Sequence, residues 1–341
     1  MNLASHMVNA AETLPLPDPV LRFGINRLVG RTQRHFANRP AGTDMFAAQM
    51  TARPIAEHTD AANRQHYELP PAFFGLVLGP HRKYSCCLYP TGDETLEEAE
   101  LHALEDTVAH ADLADGQDIL ELGCGWGAMS LFMAKRFPRA RITAVSNAAA
   151  QRRFIEAQAR ALELNNLYVI TADMNAFEPG QTFDRVVSVE MFEHMANWPG
   201  LLLKIRDWLK PGGKLFMHVF AHESHPYRFD YTDKADWIAQ YFFTGGIMPS
   251  HDLITAFSDL FTLAQDWRWS GVHYQRTAQD WLRNYDREAA AIRGIMKNVY
   301  GADAAIWFRR WRLFFLATAG LFGHKGGGPW GVSHYLLTPV A

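Results

Sequence analysis

Cysteine is scarce: Cys86, Cys87 and Cys124 are the only three in 341 residues, and their spacing makes no zinc-site pattern. With no secretory segment read ahead of them, a reducing cytoplasm is the expected setting. Long apolar runs are also missing. The longest near the C-terminus, Leu313 to Phe322, is far shorter than the roughly 20 residues a spanning helix needs, and it reads as core. Positive charge is not in excess, with Lys+Arg 33 against Asp+Glu 36 and a net charge of -3, so a nucleic acid or other polyanion is a poor partner. Internal repeats and low-complexity tracts are absent. What remains is an ordinary globular composition, 48% hydrophobic and 20% charged, which excludes wholesale disorder. His218 and His222 sit four apart, but on an expected strand rather than a helix, so no metal site is expected.

The length suits one large domain with extensions. The opening Met1 to Met7, with a second methionine after Ala-Ser-His, is set aside as an added leader. Residues 1–65 are expected to form a helical N-terminal extension and 66–341 the main domain. Between Pro19 and Arg39 acids disappear, and Arg22, Arg27, Arg31, Arg34 and Arg39 alternate with Val20, Leu21, Ile25, Leu28, Val29 and Phe36. That spacing predicts a helix with an apolar and a basic face. Two outcomes stand: peripheral contact with an anionic membrane surface, or docking on the chain's own domain.

From residue 118 strand and helix alternate. Strands are expected at Asp118–Leu122, Arg141–Val145, Leu167–Thr171, Phe183–Val189 and Gly213–Phe220, with helices at Ala128–Phe137, Ala149–Glu163 and Trp198–Trp208. Such alternation means parallel strands with crossover helices, a doubly wound α/β sheet that binds ligands at the carboxyl ends of its strands.

Glu121-Leu-Gly-Cys-Gly-Trp-Gly127 falls between the first strand and the first helix of this series. Its glycines let the backbone turn sharply and approach a ligand. The G-x-G-x-G spacing and the acidic Glu121 depart from a pyrophosphate cradle. A carboxylate there repels phosphate and suits a cationic ligand such as S-adenosylmethionine, which carries an amino group and a sulfonium.

The run ILELGCGWG, followed at suitable spacing by Ala172-Asp173, Phe183-Asp184 and LKPGG, resembles class I S-adenosylmethionine-dependent methyltransferases. The resemblance implies a Rossmann-like, seven-stranded, mostly parallel sheet with helices on both faces and an antiparallel last strand. It implies that Gly123, Gly125 and Gly127 line the methionine moiety and that Asp173 meets the adenine amino group. Tyr84, Ser85, Gln151, Met174 and Glu190 complete the implied cofactor set. At the end of the second strand Ser146-Asn147 stands where these enzymes usually carry a ribose-binding acid.

YELPPAFF, YSCCLYPTGDETLEEAE, VSVEMFEHM, LKPGGKLFMHVFAH, YFFTGGIMPS and SGVHYQRTAQDWL, in this order from about Tyr67 to Leu282, resemble one branch of that class. It is the cyclopropane fatty acid synthase family, which also contains coclaurine N-methyltransferase. A helical cap over about 222–300 is expected with it. Two chemistries follow. Resemblance to the N-methyltransferases puts acid–base work on Glu190, Glu193 and His194, with Tyr274 beside them. Resemblance to the cyclopropane synthases puts a bicarbonate on Cys86, Glu193, His218 and Tyr274, with Phe220 offering backbone.

The residues support a shared centre. A helix starting after Val189 would place Glu190 on the same face as Glu193 and His194, and two close acids push one pKa up. Plainer readings remain. The two glutamates would complement a helix dipole, His194 would be a satisfied, partly buried histidine, the cysteines and Tyr274 would be packing, and Trp237, Tyr241, Phe242 and Phe243 would be core. The leading expectation is methyl transfer to an amine nitrogen of a small molecule. The alternatives are methylation or cyclopropanation of an unsaturated acyl chain with bicarbonate as base, and a non-catalytic S-adenosylmethionine-binding protein. A homodimer is left open.

Overall fold

The computed structural model describes residues 9–37, 39–57, 69–232 and 236–340. Met1–Met7, and the Tyr67-Glu68 that begin the first family stretch, lie outside them. Ahead of the sheet come α1 (Asp18–Phe36), α2 (Thr43–Met50), α3 (Pro71–Val77) and α4 (Leu96–His110). The expected alternation then follows: β1 (Asp118–Leu122), α5 (Ala128–Arg136), β2 (Arg141–Ser146), α6 (Ala149–Ala161), β3 (Leu167–Thr171), β4 (Phe183–Val189), α7 (Trp198–Trp208) and β5 (Leu209–His222). A short α8 (Trp237–Tyr241) leads to β6 (Phe261–Ser270), then α9 (Gly271–Arg287), α10 (Ala289–Tyr300), α11 (Ala304–Phe322) and β7 (Trp330–Pro339).

The seven strands lie in the order β3-β2-β1-β4-β5-β7-β6. β1 to β5 pair in parallel, and β7 runs antiparallel between β5 and β6. Every residue of β1 is buried, as a central strand covered by helices on both faces requires. The segments after β1, β2, β3 and β4 therefore emerge along one edge, at Gly123, Asn147, Ala172 and Glu190. Gly123, Gly125 and Gly127 all have positive φ, +80°, +51° and +84°. Gly127 precedes α5, and a Cβ there would meet the Ile155 side chain of α6 at 2.7 Å, so glycine allows the two helices to close up.

One local expectation fails. No α-helix starts after Val189: β4 stays paired with β5 through Val189 and His218, and the Glu190 N–H then donates to the His218 carbonyl at 2.8 Å. Glu190 adopts φ +46°, a left-handed conformation that breaks any helical path, and only a single 3₁₀ turn, Phe192–His194, follows. Glu190 thus does not share a helix face with Glu193 and His194. The turn throws its side chain toward the 83–86 segment and α9.

The expected cap range also carries β6, an edge strand of the main sheet, and the helical layer continues to Phe322. α1 forms as expected and docks on α11, where Arg312 Nη1 meets Asp18 Oδ1 at 2.6 Å and Ile25 packs beside Gly320, while its end reaches the segment after β5, where Phe36 stacks on His225 at 5.1 Å. Among the described residues no helix is long and apolar enough to cross a membrane.

Gly271 joins β6 to α9, the helix that delivers Tyr274 and Trp281. A Cβ there would run into the carbonyls of Phe322 and Trp330, and backbone cannot step aside as a flexible side chain can. Gly271→Ala is expected to lower stability by about 1–3 kcal/mol and to shift the calorimetric Tm downward. An unchanged Tm would show that the β6–α9 joint yields easily.

Candidate active site

The edge formed by the strand ends opens into a cleft with two connected halves. Gly123, Gly125, Gln151, Glu190 and His194 line both. One half, about 770 Å³, adds Ser146, Asn147, Asp173 and Met174, together with Ala56 and Glu57 from the N-terminal region. The other, about 920 Å³, adds Tyr84, Ser85, Glu121, Glu193 and Tyr274 with the aromatic faces of Trp126, Phe220, Phe243, Trp281 and Phe314.

In the first half Ser146 Oγ donates to Gln151 Oε1 at 2.6 Å and accepts from the Ala148 N–H at 3.0 Å. Gln151 Nε2 is buried with no hydrogen-bonding partner among the described residues, an amide donor facing the cleft. Asp173 Oδ1 accepts from the backbone and side chain of Asn175, whose side chain also pairs with the backbone of Ala56. Glu121 is buried in β1 and takes a short hydrogen bond from Ser130; burial pushes its carboxyl up to about 7. Gly125 has no atom within 4 Å of where a Cβ would stand, so it borders open cleft, while Gly127 faces Ile155. The unpartnered amide donor, half-buried acid and glycine-bordered approach fit a ligand that offers both acceptors, such as hydroxyl or carboxylate oxygens, and amino donors.

Glu190 dominates the second half. Its Oε1 accepts from the Cys86 N–H at 2.8 Å and lies 3.3 Å from His218 Nε2, and its Oε2 accepts from the Tyr274 hydroxyl at 2.6 Å. Burial raises its pKa, against the pull of the Lys83 ammonium and of its hydrogen bonds from Cys86 and Tyr274. Glu193 is fully buried, and neither carboxyl oxygen has a hydrogen-bonding partner among the described residues. Burial first, then the charge of Glu190, push it well above the usual carboxylate range; the N–H groups of Glu193 and Phe220 oppose this without closing a hydrogen bond. Of the two, Glu193 is pushed further toward its protonated form, and Glu190, held by donors from Cys86 and Tyr274 with Lys83 nearby, is the better placed to carry charge. His194, half-buried, stacks on Phe243 at 4.7 Å and 14° and borders both halves of the cleft.

Tyr274 stays a phenol, since burial and the Glu190 charge raise its pKa well above the ordinary value. Cys86 stays a thiol for the same two reasons, and Cys87 is likewise buried, its pKa pushed up to about 12 by burial. Cys86 and His218 lie behind Glu190 rather than on the cleft. The structure thus gathers Cys86, His218 and Tyr274, as the sequence pattern expects, but around the Glu190 carboxylate.

Two participants escape sequence reading. Lys83 is buried and its Nζ donates to Ser85 Oγ and the Cys86 carbonyl, both at 2.6 Å; as a lysine in the run His81-Arg-Lys it looks like surface charge. His334, on β7, reaches His218 with its Nε2 at 2.8 Å, though more than a hundred residues separate them. With Asp106 and His110 it also offers three ligand atoms within 4.8 Å, a cluster that local spacing cannot reveal.

A family model described as mycolic acid cyclopropane synthetase matches residues 56–326. (S)-coclaurine N-methyltransferase of Thalictrum flavum subsp. glaucum is 35% identical over 288 residues, 83% of this chain and 80% of that one. Cyclopropane-fatty-acyl-phospholipid synthase of Escherichia coli K12 is 29% identical over 283 residues, 82% of this chain and 68% of that one. A crystal structure of coclaurine N-methyltransferase bound to N-methylheliamine and SAH superposes with a TM-score of 0.93 at 31% identity, covering 98% of this chain and 99% of that one. The cyclopropane synthase MmaA2 of Mycobacterium tuberculosis, at 22% identity and a TM-score of 0.70, shares the fold. The strand order, the glycine-bordered cleft and these matches agree: the chain belongs to the mycolic acid cyclopropane synthetase family and is an S-adenosylmethionine-dependent methyltransferase.

Proposed function

We propose that this methyltransferase acts on the nitrogen of a small, partly aromatic amine. The observation that carries the reading is the Glu190 carboxylate, held by donors from Cys86 and Tyr274, with Glu193 bordering the same cavity walled by Phe220, Phe243, Trp281 and Phe314. Carboxylate and aromatic faces together attract an ammonium substrate. An amine reaches the cleft mostly protonated, and its lone pair is useless until that proton leaves. Glu190 is placed to take it, with His194 across the same cleft. S-adenosylmethionine, held by Gln151, Asp173 and the glycine-bordered loop, supplies a methyl group on a sulfonium. The similarity to coclaurine N-methyltransferase, and to its structure with N-methylheliamine, supports an amine acceptor.

The lipid alternative needs a bicarbonate on Cys86, His218 and Tyr274. The Cys86 N–H and the Tyr274 hydroxyl already donate to the Glu190 carboxylate, with His218 Nε2 3.3 Å away, and that carboxylate has the planar O–C–O geometry of bicarbonate. A built-in carboxylate makes the external base superfluous, and this favours the amine reading. Membrane contact through residues 19–39 is not required by it either, because α1 turns toward α11.

Coclaurine and unsaturated phospholipid vesicles, each offered with labelled S-adenosylmethionine, provide the direct comparison. Label is expected in the amine; label confined to extracted fatty acids would sink the proposal. Stripping bicarbonate from the buffer should leave the amine rate unchanged, and a steep loss would restore bicarbonate as the base. Glu190→Gln is expected to lower kcat by about 10²–10⁴-fold, with the affinity for S-adenosylhomocysteine by calorimetry intact. The pH profile carries a sign: Glu190 works ionised and its pKa is raised, so kcat should climb with pH through a value above the usual 4.5. Glu190→Gln should remove that limb.

A further inference from the structure

A proton taken by Glu190 has no direct way out of a cleft filled by substrate, since the group is buried and backed by the sheet. Behind it runs an unbroken line of ring nitrogens. His218 Nε2 lies 3.3 Å from Glu190 Oε1. His218 Nδ1 lies 2.8 Å from His334 Nε2, the two residues standing directly opposite each other on β5 and β7. His334 Nδ1 lies 2.8 Å from His110 Nδ1, and that atom is 3.1 Å from Asp106 Oδ2, one turn earlier on α4. Side-chain exposure falls from 9% for Glu190 to 0% for His218 and His334, then rises to 15% for His110 and 26% for Asp106.

We propose that His218, His334 and His110 form a proton relay that discharges Glu190 along the sheet to α4, with Asp106 as the acid that stabilises positive charge at its outer end. The relay rests on the amine chemistry argued above. The substrate ammonium N–H bond breaks, its electron pair stays on nitrogen and the proton passes to Glu190. It then moves to His218 Nε2, while His218 Nδ1–H passes one on to His334 Nε2 and His334 Nδ1–H another to His110 Nδ1. His110 releases a proton from Nε2 to water. The freed nitrogen attacks the sulfonium methyl, whose C–S electron pair stays on sulfur, so charge and atoms balance with one proton released per methyl.

The surroundings suit a relay. Burial, with Lys83 and the neighbouring rings, holds His218 and His334 well below the ordinary imidazole pKa, so both rest neutral with one donor and one acceptor nitrogen each. His110 is lowered chiefly by burial, with Asp106 opposing. The titratable and charged groups facing the line are Glu190, Lys83 and Asp106. Trp267 stacks on His110 at 3.8 Å and Trp269 packs on His334 at 4.4 Å and His218 at 5.4 Å, so apolar faces flank the line. Two fully buried imidazoles paired across a sheet carry a desolvation cost that hydrophobic residues would avoid.

The three histidines are positioning residues, and the test reads proton movement. In the full-length protein, His110→Ala at the surface end and His334→Phe inside are compared with the parent at pH values below and above the pKa of the acceptor amine. Below it the variants are expected to be slower by about tenfold or more; above it, where substrate arrives as free base, they should catch up. Added imidazole should restore His110→Ala at low pH, and pyrazole, a ring of the same shape and far weaker basicity, should not. A deficit constant across pH, or equal rescue by pyrazole, would mean that the rings only pack and would overturn the relay. Stoichiometric zinc on Asp106, His110 and His334 would overturn it too, because a metal would occupy the transfer nitrogens. A parent that methylates only lipid removes the functional reading itself, and the relay falls with it.

Discussion

The contact between the Glu190 carboxylate and its three neighbours, two of them fixed donors, ties the molecule together. Cys86 comes from the loop between α3 and α4, Tyr274 from α9, His218 from β5, and Glu190 itself from the end of β4. A buried carboxylate without donors would be expensive, so each of these segments is fixed by the demand to satisfy it. The left-handed backbone at Glu190 is strain held at the point where this demand is greatest. Lys83, buried behind the same loop, supplies positive charge that opposes the rise in the Glu190 pKa, while burial and the Glu190 charge push Glu193 toward its protonated form.

The same contact explains why the cap and the sheet are inseparable. Tyr274 stacks on Phe322 of α11 at 4.4 Å, and α11 in turn receives α1 along its outer side. The N-terminal residues enter at the other end of the cleft, where Ala56 and Asn175 exchange backbone and side-chain hydrogen bonds beside Asp173. Cofactor half and acceptor half are therefore bordered by chain from the sheet, the cap and the N-terminal region together.

Much of this was legible. Strand–helix alternation follows from burial periodicity, and the strands and helices between 118 and 208 fall within a few residues of their expected bounds, because central strands must be apolar throughout and crossover helices amphipathic. The positive-φ turn after β1 was legible for a related reason: only glycine is comfortable there. SVEMFEHM was recognisable as a cluster of acids and imidazole, but its geometry was misread. Helical spacing suggested that Glu190 faces Glu193 and His194; continued pairing of β4 with β5 sends it the other way.

What the sequence determined alone was local: which stretches alternate, where glycines must turn, and that an acid–imidazole cluster follows the fourth strand. Only the tertiary structure decided what the cluster touches. His218 meets His334 because a strand from the C-terminal end is inserted antiparallel beside β5, and His334 meets His110 because α4 packs against that strand. Lys83 turns from an apparent surface charge into a buried counter-ion for a similar reason. Side-chain chemistry is written residue by residue, but desolvation and hydrogen-bond pairing depend on neighbours that are distant in the chain, and these set which carboxyl is charged and which ring carries a proton.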